Sequence, residues 1–254
     1  MRSSVIKKGT WLASFMLAVC LCAHAEVKLP AIFSDGMVMQ QQTKANLWGT
    51  ATPNKKITVT TGWNGKQYAT ADKNGAWKLS VSTPEAGGPY SITFNDGSKK
   101  TLNNILIGEL WLCSGQSNME MPMKGFKNQP VENANMDILR SKNPNIRLFT
   151  VKRTSTFTPQ TDVVGTWKEA TPANVRDFSA TAYYFGRLIN EILDVPVGLV
   201  VAAWGGSACE AWMTADWLKA FPDAKIPQSE ADIKSKNRTP TVLYNGMLHP
   251  LIGM

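Results

Sequence analysis

Cysteine and histidine are scarce in this chain of 254 residues, which has four of the first and two of the second. Cys20 and Cys22 fall in the N-terminal apolar stretch, so Cys113 and Cys209 are left for the body of the protein, too few for a disulfide framework. Both stand among apolar neighbours, where a small buried thiol is the commoner state, and the pattern leaves a bridge between them open. There is no ligand-spaced His/Cys cluster, no Walker loop and no G-x-G-x-x-G, so metal, nucleotide-phosphate and dinucleotide chemistry lack support and no cofactor is expected. The formal charge of +8 is spread thinly. Beyond residue 25 the adjacent basic pairs, Lys55-Lys56, Lys99-Lys100 and Lys152-Arg153, extend into no run and have no interleaved aromatics, so nucleic acid is not implied as a partner.

One apolar run near the start, Trp11 to Cys22, is too short to span a bilayer comfortably. Arg2, Lys7 and Lys8 precede it and Ala23-His24-Ala25 follows, the order of a Sec signal peptide cleaved after Ala25. Residues 1–25 are therefore expected to leave, Glu26 to start the mature chain, and the protein to be exported, periplasmic or secreted, with no stable membrane insertion after cleavage.

From Val27 to Asn104 the pattern is strand-like. Ile57-Thr58-Val59-Thr60 and Trp77-Lys78-Leu79-Ser80-Val81 alternate apolar with polar, the period of a half-buried strand. Asn64-Gly65, Asn74-Gly75 and Asp96-Gly97 read as two-residue type I′ hairpin turns. Residues 26–104 are expected to form a small all-β sandwich.

The texture changes at Ile105. Ile105 to Cys113 is a nearly continuous apolar run, as expected of a strand buried on both faces, and Val195 to Ala203 is a second. Between them Phe178, Ala182, Phe185, Ile189 and Ile192 recur at helical spacing. Strand, helix, strand predicts an α/β domain over residues 105–254. Phe221 to Pro240 is polar and proline-flanked, a surface excursion, and its Asn237-Arg238-Thr239 is a glycosylation sequon by pattern only.

Ser114-Gly115-Gln116-Ser117-Asn118-Met119 follows the first buried strand directly. In open α/β sheets ligands bind outside the carboxyl ends of strands, and Gly115 permits a tight turn that would lift Ser117 clear. Ser117 then stands where a nucleophile is useful, with its own N–H available to an oxyanion. The α/β-hydrolase elbow does not match, since G-x-S-x-G would need glycine at Met119. A polar turn with Ser117 or Asn118 as helix N-cap fits the pattern equally. After the second buried strand, Trp204-Gly205-Gly206-Ser207 could bring a backbone N–H close to a ligand, and Glu210 follows at a helix start.

Gly115-Gln116-Ser117-Asn118-Met119-Glu120-Met121-Pro122 and Trp204-Gly205-Gly206-Ser207 with Glu210-Ala211-Trp212 resemble two blocks of the sialate O-acetylesterase family, a branch of the SGNH (GDSL-like) hydrolases. Leu29 to Gln40, Val195 to Leu199 and Leu243 to Met247 are similar to other stretches of that family, while Ser207 departs from its usual threonine. The resemblance implies a flavodoxin-like SGNH hydrolase domain preceded by a β-rich domain, an acetylated carbohydrate as substrate, and metal-free removal of acetyl groups from sialic acid or related glycans. It implies Ser117 as nucleophile, the backbone of Ser117 and Gly206 as oxyanion donors, Gly205 as the residue that keeps the turn open, and Gln116, Asn118 and, more loosely, Glu210 as pocket residues.

A serine nucleophile needs a base. His249 is the histidine of the expected mature chain, and the family's Gly-Glu-Ser-Asn-like and Asp-x-x-His blocks have no counterpart before Met254. The chain is therefore expected to be a C-terminally truncated fragment with an incomplete SGNH domain, inactive alone. Competing readings are a carbohydrate-binding protein that stacks sugars on Trp48, Trp63 and Trp77, an acetylxylan-type esterase, and a glycosidase using two of Glu109, Glu120 and Glu210.

Overall fold

The computed structural model describes residues 26–254; the expected signal peptide lies outside them. The fold is mixed α/β, built on one large sheet. Strands β1 (Val38–Gln40), β2 (Lys44–Thr50), β3 (Lys56–Thr61), β4 (Gly65–Thr70), β5 (Ala76–Ser82) and β6 (Gly87–Asn95) lead into the long β7 (Lys99–Gly115). Then come α1 (Ser117–Glu120), α2 (Ala134–Leu139), β8 (Asn143–Thr150), β9 (Trp167–Ala170), α3 (Pro172–Val175), α4 (Ala180–Leu193), β10 (Val197–Ala203) and α5 (Ala215–Leu218).

The sheet runs β4-β3-β6-β7-β10-β8-β9, with β1 also on β7, while β2 and β5 form a separate antiparallel pair. β7 belongs to both halves. Its first part pairs antiparallel with β6, and its last part pairs parallel with β10 in a register that ends at Ala203 opposite Gly115. A boundary between residues 104 and 105 thus falls inside a continuous strand. The β2–β5 pair and the β3–β6–β7 part share one core, in which Leu47, Trp77, Ile57, Val59, Ile92 and Phe94 are buried. A second core lies between the parallel strands and α4, around Ile146, Leu148, Tyr183, Leu199 and Val201.

Several local expectations need correcting. The three Gly-containing turns exist, but only the glycines have positive φ, so type I′ geometry is excluded. The β3–β4 and β6–β7 connections are three residues long, and side chains stabilise them: Thr61 Oγ1 accepts the Asn64 N–H, and Asp96 Oδ1 accepts the Ser98 N–H. The run from Ile105 to Cys113 is not buried throughout, because beyond Gly108 the outer edge of β7 has no strand neighbour among the described residues, and Trp111 and Leu112 are exposed. Along α4 the apolar positions split. Ala182, Tyr183 and Gly186 are buried against the sheet, whereas Phe185, Leu188 and Ile192 are exposed, Phe185 resting edge-on against Trp111 of β7.

A third parallel strand, β8, follows β10 in the sheet. Arg147 interrupts its apolar run, so the sequence lacks the continuous signal that marks β7 and β10. Arg147 is 3% exposed, its guanidinium held by the Pro144 and Gly36 carbonyls, by Asn104 Oδ1 and by Glu169. Cys113 and Cys209 are both free thiols, the first buried and the second exposed. Among the described residues, no helix is long and apolar enough to cross a membrane.

Candidate active site

β7 and β10 end side by side, so the two turns singled out in the sequence meet. The Trp204 N–H donates to the Gly115 carbonyl at 3.1 Å. Gly115 has φ +156°, and a Cβ there would stand 3.1 Å from the Met119 Cβ, so glycine lets the chain turn sharply into α1.

Ser117 is the first residue of α1 and is exposed. The N-cap position is Gln116, which makes no side-chain cap bond, so neither Ser117 nor Asn118 caps the helix. The Ser117 hydroxyl instead donates to Gln116 Oε1 at 3.1 Å. The same oxygen accepts the Gly206 N–H at 3.3 Å. A hydroxyl and a backbone N–H from two different strand ends therefore converge on one acceptor. Asn118 contributes its carbonyl to Thr181 Oγ1 at 3.1 Å, which ties α1 to α4.

The Gly205–Gly206 turn is fixed from three sides. Glu120 Oε2 accepts the Gly205 N–H at 2.8 Å, and a Cβ on Gly205 would meet that oxygen at 2.7 Å. Asn237 Nδ2 donates to the Gly205 carbonyl at 2.9 Å, and the Ala208 N–H donates to the Asn237 carbonyl. Gly206 itself has φ +70°, a left-handed conformation that favours glycine. Glu120 Oε1 pairs with Arg153, whose guanidinium lies 5.6 Å from the centre of the Trp204 ring.

Glu120, Arg153 and Asn237 were not placed in the site by sequence. The only hint was Glu120 inside the first block, and the sequon asparagine is engaged in shaping the turn. Ser207 Oγ accepts the Trp212 indole N–H at 2.8 Å, so its hydroxyl braces the following 3₁₀ turn. Glu210 is placed apart from Ser117, lining a cavity of about 440 Å³ with Cys209, Met213 and Phe221.

His249 lies at the β2–β5 face, in a cavity of about 470 Å³ with Trp48, Trp77 and Lys78, and its Nδ1 is 2.9 Å from the Gln160 carbonyl. The three carboxylates considered for a paired mechanism have separate surroundings. Glu109 is bonded to Gln40 and Gln41, Glu120 to Gly205, and Glu210 lies in its separate cavity. Of the three tryptophans considered for sugar stacking, Trp77 is core, Trp63 is bonded to the Ser82 carbonyl and packed on Tyr90, and Trp48 packs edge-on against Phe33. Among the described residues, no group of three or more His, Cys, Asp or Glu could hold a metal ion.

This is an α/β protein whose exposed serine and glycine turn sit together at the carboxyl ends of adjacent parallel strands. A family model described as carbohydrate esterase, sialic acid-specific acetylesterase matches residues 107–244, just over half of the chain and both turns. The chain belongs to that family. It is 28% identical over 249 residues to the sialate O-acetylesterases of Pongo abelii and of Homo sapiens, covering 89% of this chain and 46% of each relative. A carbohydrate acetylesterase from Xanthomonas citri superposes with a TM-score of 0.78 at 35% identity, over 89% of this chain and 48% of its own. The chain thus spans about half the length of the relatives it matches.

Proposed function

We propose that the protein is an exported carbohydrate esterase, periplasmic or secreted, that removes O-acetyl groups from sialic acid or related acetylated glycans, with Ser117 as nucleophile. The observation that carries this reading is the convergence of the Ser117 hydroxyl and the Gly206 N–H on Gln116 Oε1. That oxygen stands in for the carbonyl oxygen of an acetyl group.

Ser117 Oγ would attack the acetyl carbon as its proton passes to a base, and the resulting oxyanion would take N–H bonds from Gly206 and Ser117. Collapse returns the proton to the departing sugar oxygen and leaves an acetyl-serine. Water, activated by the same base, then releases acetate and restores Ser117. Gln116 and Asn118 border the acetyl position, and Gln116 swings aside when substrate enters. Glu210, turned to another cavity, has no part in the step.

The base is the missing group. His249 is bonded to Gln160 in a different cavity, so the histidine and its carboxylate are assigned to chain beyond the described residues, within a flavodoxin-like SGNH domain that follows an all-β domain. The unpaired outer edge of β7 and the exposed Trp111, Leu112 and Phe185 agree with a sheet that extends on that side.

The test is to read the gene past codon 254, express its full product, and assay acetate release from O-acetylated sialic acid beside a Ser117→Ala variant and beside residues 26–254 alone. Activity that depends on Ser117 and is absent from the shorter chain is expected. Undiminished activity in Ser117→Ala overturns the nucleophile, and acetate release by residues 26–254 overturns the external base.

A further inference from the structure

Beside the serine turn, at the carboxyl ends of β8 and β10, a groove of about 350 Å³ is lined by Glu120, Lys124, Lys152, Arg153 and Asp177. A second hollow of similar volume shares Lys152 and Asp177 with it and continues to Lys168. The groove's two carboxylates are already engaged: Glu120 by Arg153, and Asp177 by Lys124 at 2.5 Å. Among the described residues Lys152 and Lys168 enter no ion pair, so the groove itself sets three cations, Lys124, Lys152 and Arg153, against two carboxylates and keeps an excess of positive charge, to which Lys168 adds in the neighbouring hollow.

Arg153 is the best-placed of these cations. Its side chain is 51% exposed, yet Glu120 holds it on one side and the Trp204 ring lies along it. A guanidinium has five N–H donors in a rigid fork, and one ion pair leaves most of them for a second carboxylate. Glu120 also anchors Gly205, whose Cβ position is 3.7 Å from the Ser117 Cβ. The cation is thus fixed to the same turn that faces the nucleophile.

We infer that this groove is the subsite for the carboxylate of an acidic sugar, with Arg153 and Lys152 receiving the charge while the sugar's O-acetyl group reaches Ser117. The assignment rests on Ser117 marking the acetyl position, and it makes Arg153 and Lys152 specificity residues that separate acidic from neutral acetylated sugars. Lys152 supplies charge without touching Glu120, whereas Arg153 couples recognition to the Gly205 turn.

The test is binding of N-acetylneuraminic acid to the full gene product, compared with its C1 methyl ester, which keeps the ring and loses the charge. We expect the acid to bind about ten-fold more tightly than the ester, in line with the strength of charge-assisted pairing. Lys152→Gln and Arg153→Gln should each bring the two affinities towards equality, chiefly by weakening the acid, and Ser117→Ala should leave the ratio unchanged. Lys152→Gln carries the decision, since it leaves the Glu120 anchor intact. Equal binding of acid and ester, no binding of either, or a ratio untouched by both variants overturns the subsite. Failure of Ser117 as nucleophile would show separately, as acetate release that survives Ser117→Ala.

Discussion

Glu120 Oε2 accepts the N–H of Gly205 at 2.8 Å, across 85 residues of sequence. Its second oxygen pairs with Arg153, so one carboxylate ties the end of the serine helix to the glycine turn of the neighbouring strand. Truncating Glu120 to alanine frees Gly205 and, through it, the adjacent Gly206 N–H. Acetate release by the full gene product should fall by about 10-fold or more, less than the roughly 100- to 1,000-fold cost of deleting an oxyanion donor outright. The loss should lie in kcat rather than KM, and exchange of the Gly205 amide with solvent deuterium should quicken. Unchanged exchange would mean that other contacts hold the turn.

Gly205→Ala attacks the same contact from the other side, since its Cβ would stand 2.7 Å from Glu120 Oε2. The substitution should displace the carboxylate and lower activity in the same direction as Glu120→Ala. Combined in one chain, the clash has nothing to meet. The double variant should therefore be less impaired than the two losses summed, with an interaction energy of about 0.5–3 kcal/mol in a double-mutant cycle. Strict additivity would show that the two residues act independently.

The two turns were legible because glycine and serine follow apolar runs directly, and strand ends are where α/β sheets place their ligands. What was not legible depends on pairing between distant segments. Asn237 reads as a sequon in a polar loop until that loop folds back and donates to the Gly205 carbonyl, 32 residues earlier. The strand at Ile146 to Phe149 was hidden by Arg147, whose burial is possible only because the Pro144 carbonyl of its own strand, the distant Gly36 carbonyl and Asn104 surround it. The extent of β7 was hidden for the opposite reason. An apolar run does not reveal which of its residues lack a neighbouring strand, and Trp111 and Leu112 are in the open.

Arg147 joins the turn at Gly36 to the parallel sheet, and its pKa is lowered by burial, although the guanidinium stays charged. Arg147→Met keeps an unbranched stem in place of the arginine methylenes and removes every donor. The Pro144 and Gly36 carbonyls and Asn104 Oδ1 then lose their partner. Urea unfolding should show a loss of about 1–3 kcal/mol, the usual cost of leaving buried acceptors unsatisfied. A neutral result would mean that water replaces the guanidinium.

The two thiols should separate by reactivity. Burial pushes the Cys113 thiol up to about 11, so its thiolate is scarce at neutral pH, while Cys209 is exposed. Iodoacetamide at pH 8 should modify Cys209 in the native protein and reach Cys113 only after denaturant is added. Mass spectrometry of the two tryptic peptides distinguishes them. Rapid modification of Cys113 in the folded protein would show that the end of β7 opens readily.

Asp137, on α2, bonds Arg187 at 2.8 Å and Tyr184 at 2.7 Å, both on α4. The Arg187 hydrogen bond, then that of Tyr184, lowers the carboxyl below its ordinary 3.8, and partial burial, then the same carboxylate, pushes Tyr184 up to about 12. A carboxyl whose pKa is lower folded than unfolded binds more protons in the unfolded state. Its stabilisation is fully present above the unfolded value and is lost as pH falls through the folded one. Asp137→Asn should accordingly be less stable than the parent at pH 7, and the gap should close as the medium is acidified below pH 3.8. Denaturant titrations at a series of pH values measure that difference directly. A gap that stayed constant with pH would assign the loss to packing and hydrogen-bond geometry instead of to the charge on Asp137.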